Sequence, residues 1–143
     1  MAMKKSILLA VLLTLFSCEN DDDFNNNPFL VDISFQVILN TNLPQYADLD
    51  FPGNSVVIPN QGLRGVVVYY IGNNDYRAFE LSDPNHSPNS CSTMRVNGIE
   101  ATCPCPDDNF KYNIITGEPM NGGEFPMKPY RATRQGDDII VSN

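Results

Sequence analysis

An all-β fold, a small antiparallel sandwich or barrel, is what this sequence predicts, on three observations. Apolar and polar residues alternate with the two-residue period of a strand. No stretch of ten or more residues beyond position 18 carries the apolar repeat of a helix. Turn formers are abundant, with seventeen asparagines, eleven prolines and nine glycines in 143 residues, and they divide a chain into short segments. At this length the chain is one domain with room for an appended segment.

That segment stands first. Lys4 and Lys5 precede an apolar run from Ile7 to Phe16, and Ser17 lies immediately before Cys18. A charged start, a short apolar core and a small residue at the cut site predict a secretion signal over 1–17. The run is about half the roughly 20 residues that a membrane-spanning helix requires. Leu15-Phe16-Ser17-Cys18 resembles the bacterial lipobox, which implies that Cys18 is acylated, palmitate included, and becomes the mature N-terminus. Each buried methylene contributes about 0.8 kcal/mol, so several chains anchor firmly.

Residues 18–31 open with Glu19-Asn20-Asp21-Asp22-Asp23, a stretch too polar to pack, and are expected to form a disordered tether. An acidic run directly behind a lipidated cysteine is similar to the export signal of surface lipoproteins. The expected location is therefore the outer membrane, on its periplasmic or cell-surface face. The whole chain has a formal charge of −8, and without Lys4 and Lys5 seven basic residues face seventeen acidic ones. Such a body is repelled by anionic lipid and by nucleic acid, which leaves the lipid as the membrane anchor.

The β domain is expected over 32–143. Ile33, Phe35, Val37 and Leu39 alternate with Ser34, Gln36 and Asn40, as in a half-buried strand. Gly65–Ile71 is continuously apolar and β-branched, the mark of a strand buried on both faces. Gly72-Asn73-Asn74-Asp75 predicts a four-residue connection into a strand over Tyr76–Leu81. Asn97-Gly98 between Thr93–Val96 and Ile99–Thr102 predicts a type I′ hairpin with positive φ at both central residues. Phe110–Ile115 ends at Thr116-Gly117, and Tyr130–Arg134 pairs with Ile139–Val141 across Gln135-Gly136-Asp137.

Two proline-rich loops interrupt this scheme, Ser82–Cys91 and Cys103–Asn109, and they hold the only histidine and every cysteine but Cys18. His86, Cys91, Cys103 and Cys105 make a three-cysteine, one-histidine set of the kind that holds zinc. Cys103-Pro104-Cys105 has one intervening residue, where zinc loops usually have two to four. No metal is therefore expected, and His86 is read as a solvent-facing loop residue. Asp107-Asp108 and Asp137-Asp138 are read as solvated turns. No Ser/His/Asp arrangement or phosphate-binding glycine loop is present, so the chain is not expected to be an enzyme.

Gly65–Tyr69, Tyr76–Glu80 and the proline loop after them resemble the approach to the first ligand loop of a Rieske iron–sulfur domain. Cys103-Pro104-Cys105-Pro106, Phe110, Thr116-Gly117-Glu118-Pro119 and Pro126-Met127-Lys128-Pro129-Tyr130 resemble its second loop and closing strands. The resemblance spans about residues 60–143 and implies a compact antiparallel fold whose two hairpin loops clasp a 2Fe–2S cluster. In that family, C-x-H and C-x-x-H place two thiolates on one iron and two imidazoles on the other. Here Asp83 and Asn85 stand at the first pair of positions, and Cys103 and Pro106 at the second. A chain with one histidine cannot supply the two that the conventional cluster needs.

Some Rieske domains also link the two loops by a disulfide, and Cys91 and Cys105 are similar in placement to its cysteines. Cys91–Cys103 is the alternative pairing. With Cys91 and Cys105 bridged, Cys103 is left as a buried, inert thiol. The reading is of a lipid-anchored envelope protein with a Rieske-like domain lacking the conventional ligands. It is a binding or structural module with an unknown protein or glycan partner and no cofactor. The alternative is an electron-transfer protein with a variant 2Fe–2S cluster, or a zinc-binding protein, on His86, Cys91, Cys103 and Cys105.

Overall fold

The computed structural model describes residues 27–143. The expected signal over 1–17, the lipidation residue Cys18 and the tether up to position 26 lie outside the described residues. The described end of that tether lies on the body. Asn27 Oδ1 accepts the amides of Phe29 and Leu30, its Nδ2 donates to Pro84 O, and Leu30 is buried.

The domain is all-β and antiparallel. Its strands are β1 (Gln36–Asn40), β2 (Ser55–Ile58), β3 (Val66–Gly72), β4 (Asp75–Glu80), β5 (Arg95–Asn97), β6 (Glu100–Thr102), β7 (Lys111–Asn113), β8 (Pro129–Gln135) and β9 (Asp138–Ser142), with a 3₁₀ turn at Ala47–Asp50. Six strands form one sheet in the order β1-β9-β8-β4-β3-β2, with β1 and β2 at its ends, and three form a second in the order β5-β6-β7. The first ligand loop of the resemblance runs from β4 to β5, and the second from β6 to β7. The small sheet thus carries both.

β3 is the strand on which packing depends. The apolar run that predicts burial on both faces is buried from Val66 to Tyr70. Val66, Val68 and Tyr70 face a core shared with Leu39, Leu49, Ile58, Tyr76, Tyr130, Ile139 and Val141. Val67 and Tyr69 face a second core, with Phe79, Leu81, Met94, Cys103, Tyr112, Ile114 and Met127, which joins the large sheet to the loop-bearing small sheet. Between β3 and β4 the connection is tighter than expected. Gly72 pairs with Asp75, and Asn73 and Asn74 take φ of 53° and 60°, a two-residue type I′ turn that asparagine tolerates.

The β5–β6 hairpin forms, centred one residue later than expected. Asn97 pairs with Glu100, and Gly98 alone has a positive φ, 61°. Glycine at the first central position is the type II′ solution. This register sets Ala101 opposite both Val96 and Tyr112, where its small side chain leaves room for the fully buried Tyr112 ring.

Candidate functional site

The two proline loops meet at the end of the second core, and the structure joins them by a Cys91–Cys105 disulfide across a sequence separation of 14. This is the pairing that the resemblance implies, and Cys91–Cys103 is not formed. Cys103 is a free thiol, 1% exposed. Burial pushes its pKa up to about 12, and the Asp108 and Asp83 carboxylates beside it push the same way. It is a neutral group at ordinary pH.

Asp83 and Asn85 build the floor of the site. Asp83 is completely buried. Its Oδ1 accepts from the Asn85 amide and from the Tyr112 hydroxyl, whereas its Oδ2 has no partner. An unpaired buried polar atom costs about 1–3 kcal/mol, more when charged. Asn85 has all its capacity engaged. Nδ2 donates to Tyr112 Oη and to Phe125 O, and Oδ1 accepts from the amides of Glu124 and Phe125. One side chain thus binds the first loop to the segment that leads into β8.

His86 departs from the expected solvent-facing position. Its side chain is 21% exposed. Nδ1 lies 3.0 Å from Ser87 O, a carbonyl that only accepts, so Nδ1 carries the proton. Nε2 points inward, 3.4 Å from Cys103 Sγ, 3.5 Å from Asp108 Oδ2 and 3.9 Å from Asp83 Oδ2. Asp108 is likewise not a solvated turn residue: its side chain is 16% exposed and its Oδ1 is buried without a partner. Asp107 beside it is exposed, as the turn reading has it. A surface pocket of about 310 Å³, lined by His86, Ser87, Asn89, Cys91, Cys105, Asp107 and Asp108, leads to this group.

No family model and no curated protein matches the chain. Similar solved structures include the ferredoxin of carbazole 1,9a-dioxygenase from Nocardioides aromaticivorans IC177. It is 18% identical over 77% of this chain and 97% of that one, with a TM-score of 0.47. A chain in the complex of reduced oxygenase and oxidized ferredoxin in carbazole 1,9a-dioxygenase is 19% identical over 78% and 94%, at 0.48. The E. coli protein NirD is 16% identical over 78% and 98%, at 0.45.

The metal-ligating group that forms differs from the set expected in the sequence. His86, Cys103, Cys105 and Asp108 present ligand atoms within 4.8 Å of one another. Cys91 is not among them, and both Cys91 and Cys105 have their sulfurs in the disulfide. The three-cysteine, one-histidine set is thereby reduced to His86 and Cys103, joined by Asp108, a carboxylate expected in a solvated turn. A conventional 2Fe–2S cluster does not fit these residues. Asp83 and Asn85, which the resemblance sets at the first pair of positions, are a carboxylate and an amide, Asn85 is committed to four scaffold hydrogen bonds, and Pro106 offers no side-chain donor.

Proposed function

We propose that this chain is a lipid-anchored envelope protein whose Rieske-like β domain has given up the 2Fe–2S cluster and acts as a binding or structural module. The observation that supports this most strongly is the use made of the old ligand positions. Asn85 is a structural clamp, Cys103 is a buried neutral thiol, and the disulfide staples the loops at their mouth. A disulfide also accords with an oxidising compartment beyond the inner membrane. The partner would be a protein or glycan met at the pocket between the loops.

The anchor belongs to the same reading. Eight residues separate Cys18 from Asn27, a span of at most roughly 30 Å. Asn27 is bonded to Pro84 in the first loop, so a lipid on Cys18 would keep the loop pair close to the membrane. Labelled palmitate should enter the full chain in cells and fail to enter Cys18→Ser. The purified full chain should be free of visible iron–sulfur absorbance. Reddish-brown protein with stoichiometric iron and acid-labile sulfide would overturn the cluster-free reading. A second reading, a metal protein of another kind, is favoured by one observation, the convergence of three donors on His86 Nε2.

A further inference from the structure

We propose that the two loops hold a single divalent ion of the zinc class on His86 Nε2, Cys103 Sγ and Asp108, with Asp83 Oδ2 facing the same nitrogen as the remaining donor. The inference rests on the cluster-free reading of the loops and deepens its second form. One imidazole nitrogen faces a thiol and two carboxylates at 3.4, 3.5 and 3.9 Å. With bonds of about 2.0–2.3 Å, the edges of a tetrahedral zinc shell are roughly 3.3–3.8 Å. Of these three separations from Nε2, the thiol and Asp108 distances fall within that range and the Asp83 distance lies just beyond it.

Hydrogen bonding leaves the group short, with Asp83 Oδ2 and Asp108 Oδ1 buried and unpaired. The Nδ1 proton goes to Ser87 O, which leaves Nε2 with either a lone pair or one proton. A lone pair can accept from the Cys103 thiol but meets two carboxylates that have nothing to give it. A proton can serve one carboxylate, and the Cys103 thiol beside both carboxylates can serve the other. In the structure Asp83 Oδ2, on a side chain with no exposure, has no hydrogen-bond partner and lies 3.9 Å from the same nitrogen. A cation satisfies all four donors at once.

The surroundings have the form that zinc sites take. A ligating histidine commonly donates its other N–H to a backbone carbonyl, which fixes its tautomer and ring orientation, and Ser87 O does this here. Asp83 is held through its other oxygen by Tyr112 and the Asn85 amide. The donor set of one thiolate, one imidazole and two carboxylates suits Zn²⁺ better than Ca²⁺ or Mg²⁺. Cys105 is excluded as a thiolate by its disulfide. The ion would be a structural tie, since His86 and the facing Asp83 come from the first loop and Cys103 and Asp108 from the second.

The test uses the full chain, purified without reductant, stripped of metal and titrated with Zn²⁺ and Co²⁺. One ion should bind per chain. Co²⁺ should give the visible bands of a tetrahedral site and a near-ultraviolet thiolate band, and Cys103→Ser should lose the latter. His86→Ala and Asp108→Asn should each weaken Zn²⁺ by about 100-fold or more. Both should still unfold, metal-free, in one cooperative transition, since neither side chain is part of a hydrophobic core. Zinc should raise the melting temperature of the wild type and not of His86→Ala.

Absence of uptake by the oxidised protein would overturn the site while leaving the cluster-free reading intact. Equal binding by His86→Ala, or binding only after the disulfide is reduced, would overturn the ligand assignment. Iron with acid-labile sulfide in the protein as purified would overturn both readings.

Discussion

Glu80 shows how much a single buried carboxylate can organise. It is fully buried. Oε1 accepts from the amides of Arg64 and Ser82, and Oε2 from the Leu63 amide and the Tyr130 hydroxyl. All four partners are donors, so Glu80→Gln turns an amide NH₂ toward N–H or O–H groups. A loss of about 2–3 kcal/mol in urea unfolding is expected, and a loss below about 0.5 kcal/mol would contradict the account. The other side of the pair sets a pH dependence. Burial, and then Glu80, raises the pKa of Tyr130. The fold therefore favours the neutral phenol. Its contribution is whole below the ordinary tyrosine value of 10.0 and is lost as pH rises past it. Tyr130→Phe should be less stable at pH 8 by about 1.5–3 kcal/mol, and its melting temperature should fall less steeply between pH 8 and 11. Parallel curves for the two proteins would refute the assignment. Cys103 is buried and its thiol is displaced to about 12, so iodoacetamide at pH 8 should leave it unmodified in the native protein and modify it in guanidinium, read by peptide mass spectrometry. Among the site residues, the sequence made Cys103 and the Cys91–Cys105 bridge legible through family resemblance. It did not reveal Asp108, because a proline loop has no periodicity to say which of two adjacent aspartates turns inward, nor Asn85, whose four partners are 27 to 40 positions away.

At the level of elements, the long strands were readable and the turns less so. β3 could be read because an unbroken apolar run has one economical place, between two cores. β2 follows Pro52-Gly53 with only four residues, too few to display an alternation, and the sequence reading did not anticipate it. The hairpins were visible as pairs, but the centre of each turn is decided by cross-strand packing, as Ala101 shows. Two glycines separate backbone freedom from space. Gly98 has φ 61° and nothing within 4 Å of where a Cβ would stand, whereas at Gly117, φ 81°, a Cβ would lie 2.6 Å from Phe79 Cε1. Gly98→Ala should therefore cost only the left-handed strain, roughly 1–2 kcal/mol. Gly117→Ala should add overpacking of about 1–3 kcal/mol. Equal losses in thermal or urea unfolding would show that the Phe79 ring yields. The loop staple belongs to this scale too. Cys91→Ala with Cys105→Ala should lose about 3 kcal/mol, the chain-entropy value for a loop of about 15 residues. A loss under 1 kcal/mol would mean that the loops are held by other contacts.

For the whole molecule, the placement of β3 couples the two halves. Val67 and Val68 are adjacent, completely buried and members of different cores. Val67→Ala and Val68→Ala should each cost about 2 kcal/mol. Each should lower one cooperative transition rather than uncover a second, because neither core keeps its wall when β3 leaves. Two resolved transitions in calorimetry would show instead that the small sheet and its loops melt separately. Asn85 has a wider consequence. Asn85→His would remove the bonds to Tyr112, Glu124 and Phe125 that tie the first loop to β7 and to the segment leading into β8. A substitution at this one position would therefore be felt in three separate stretches of chain.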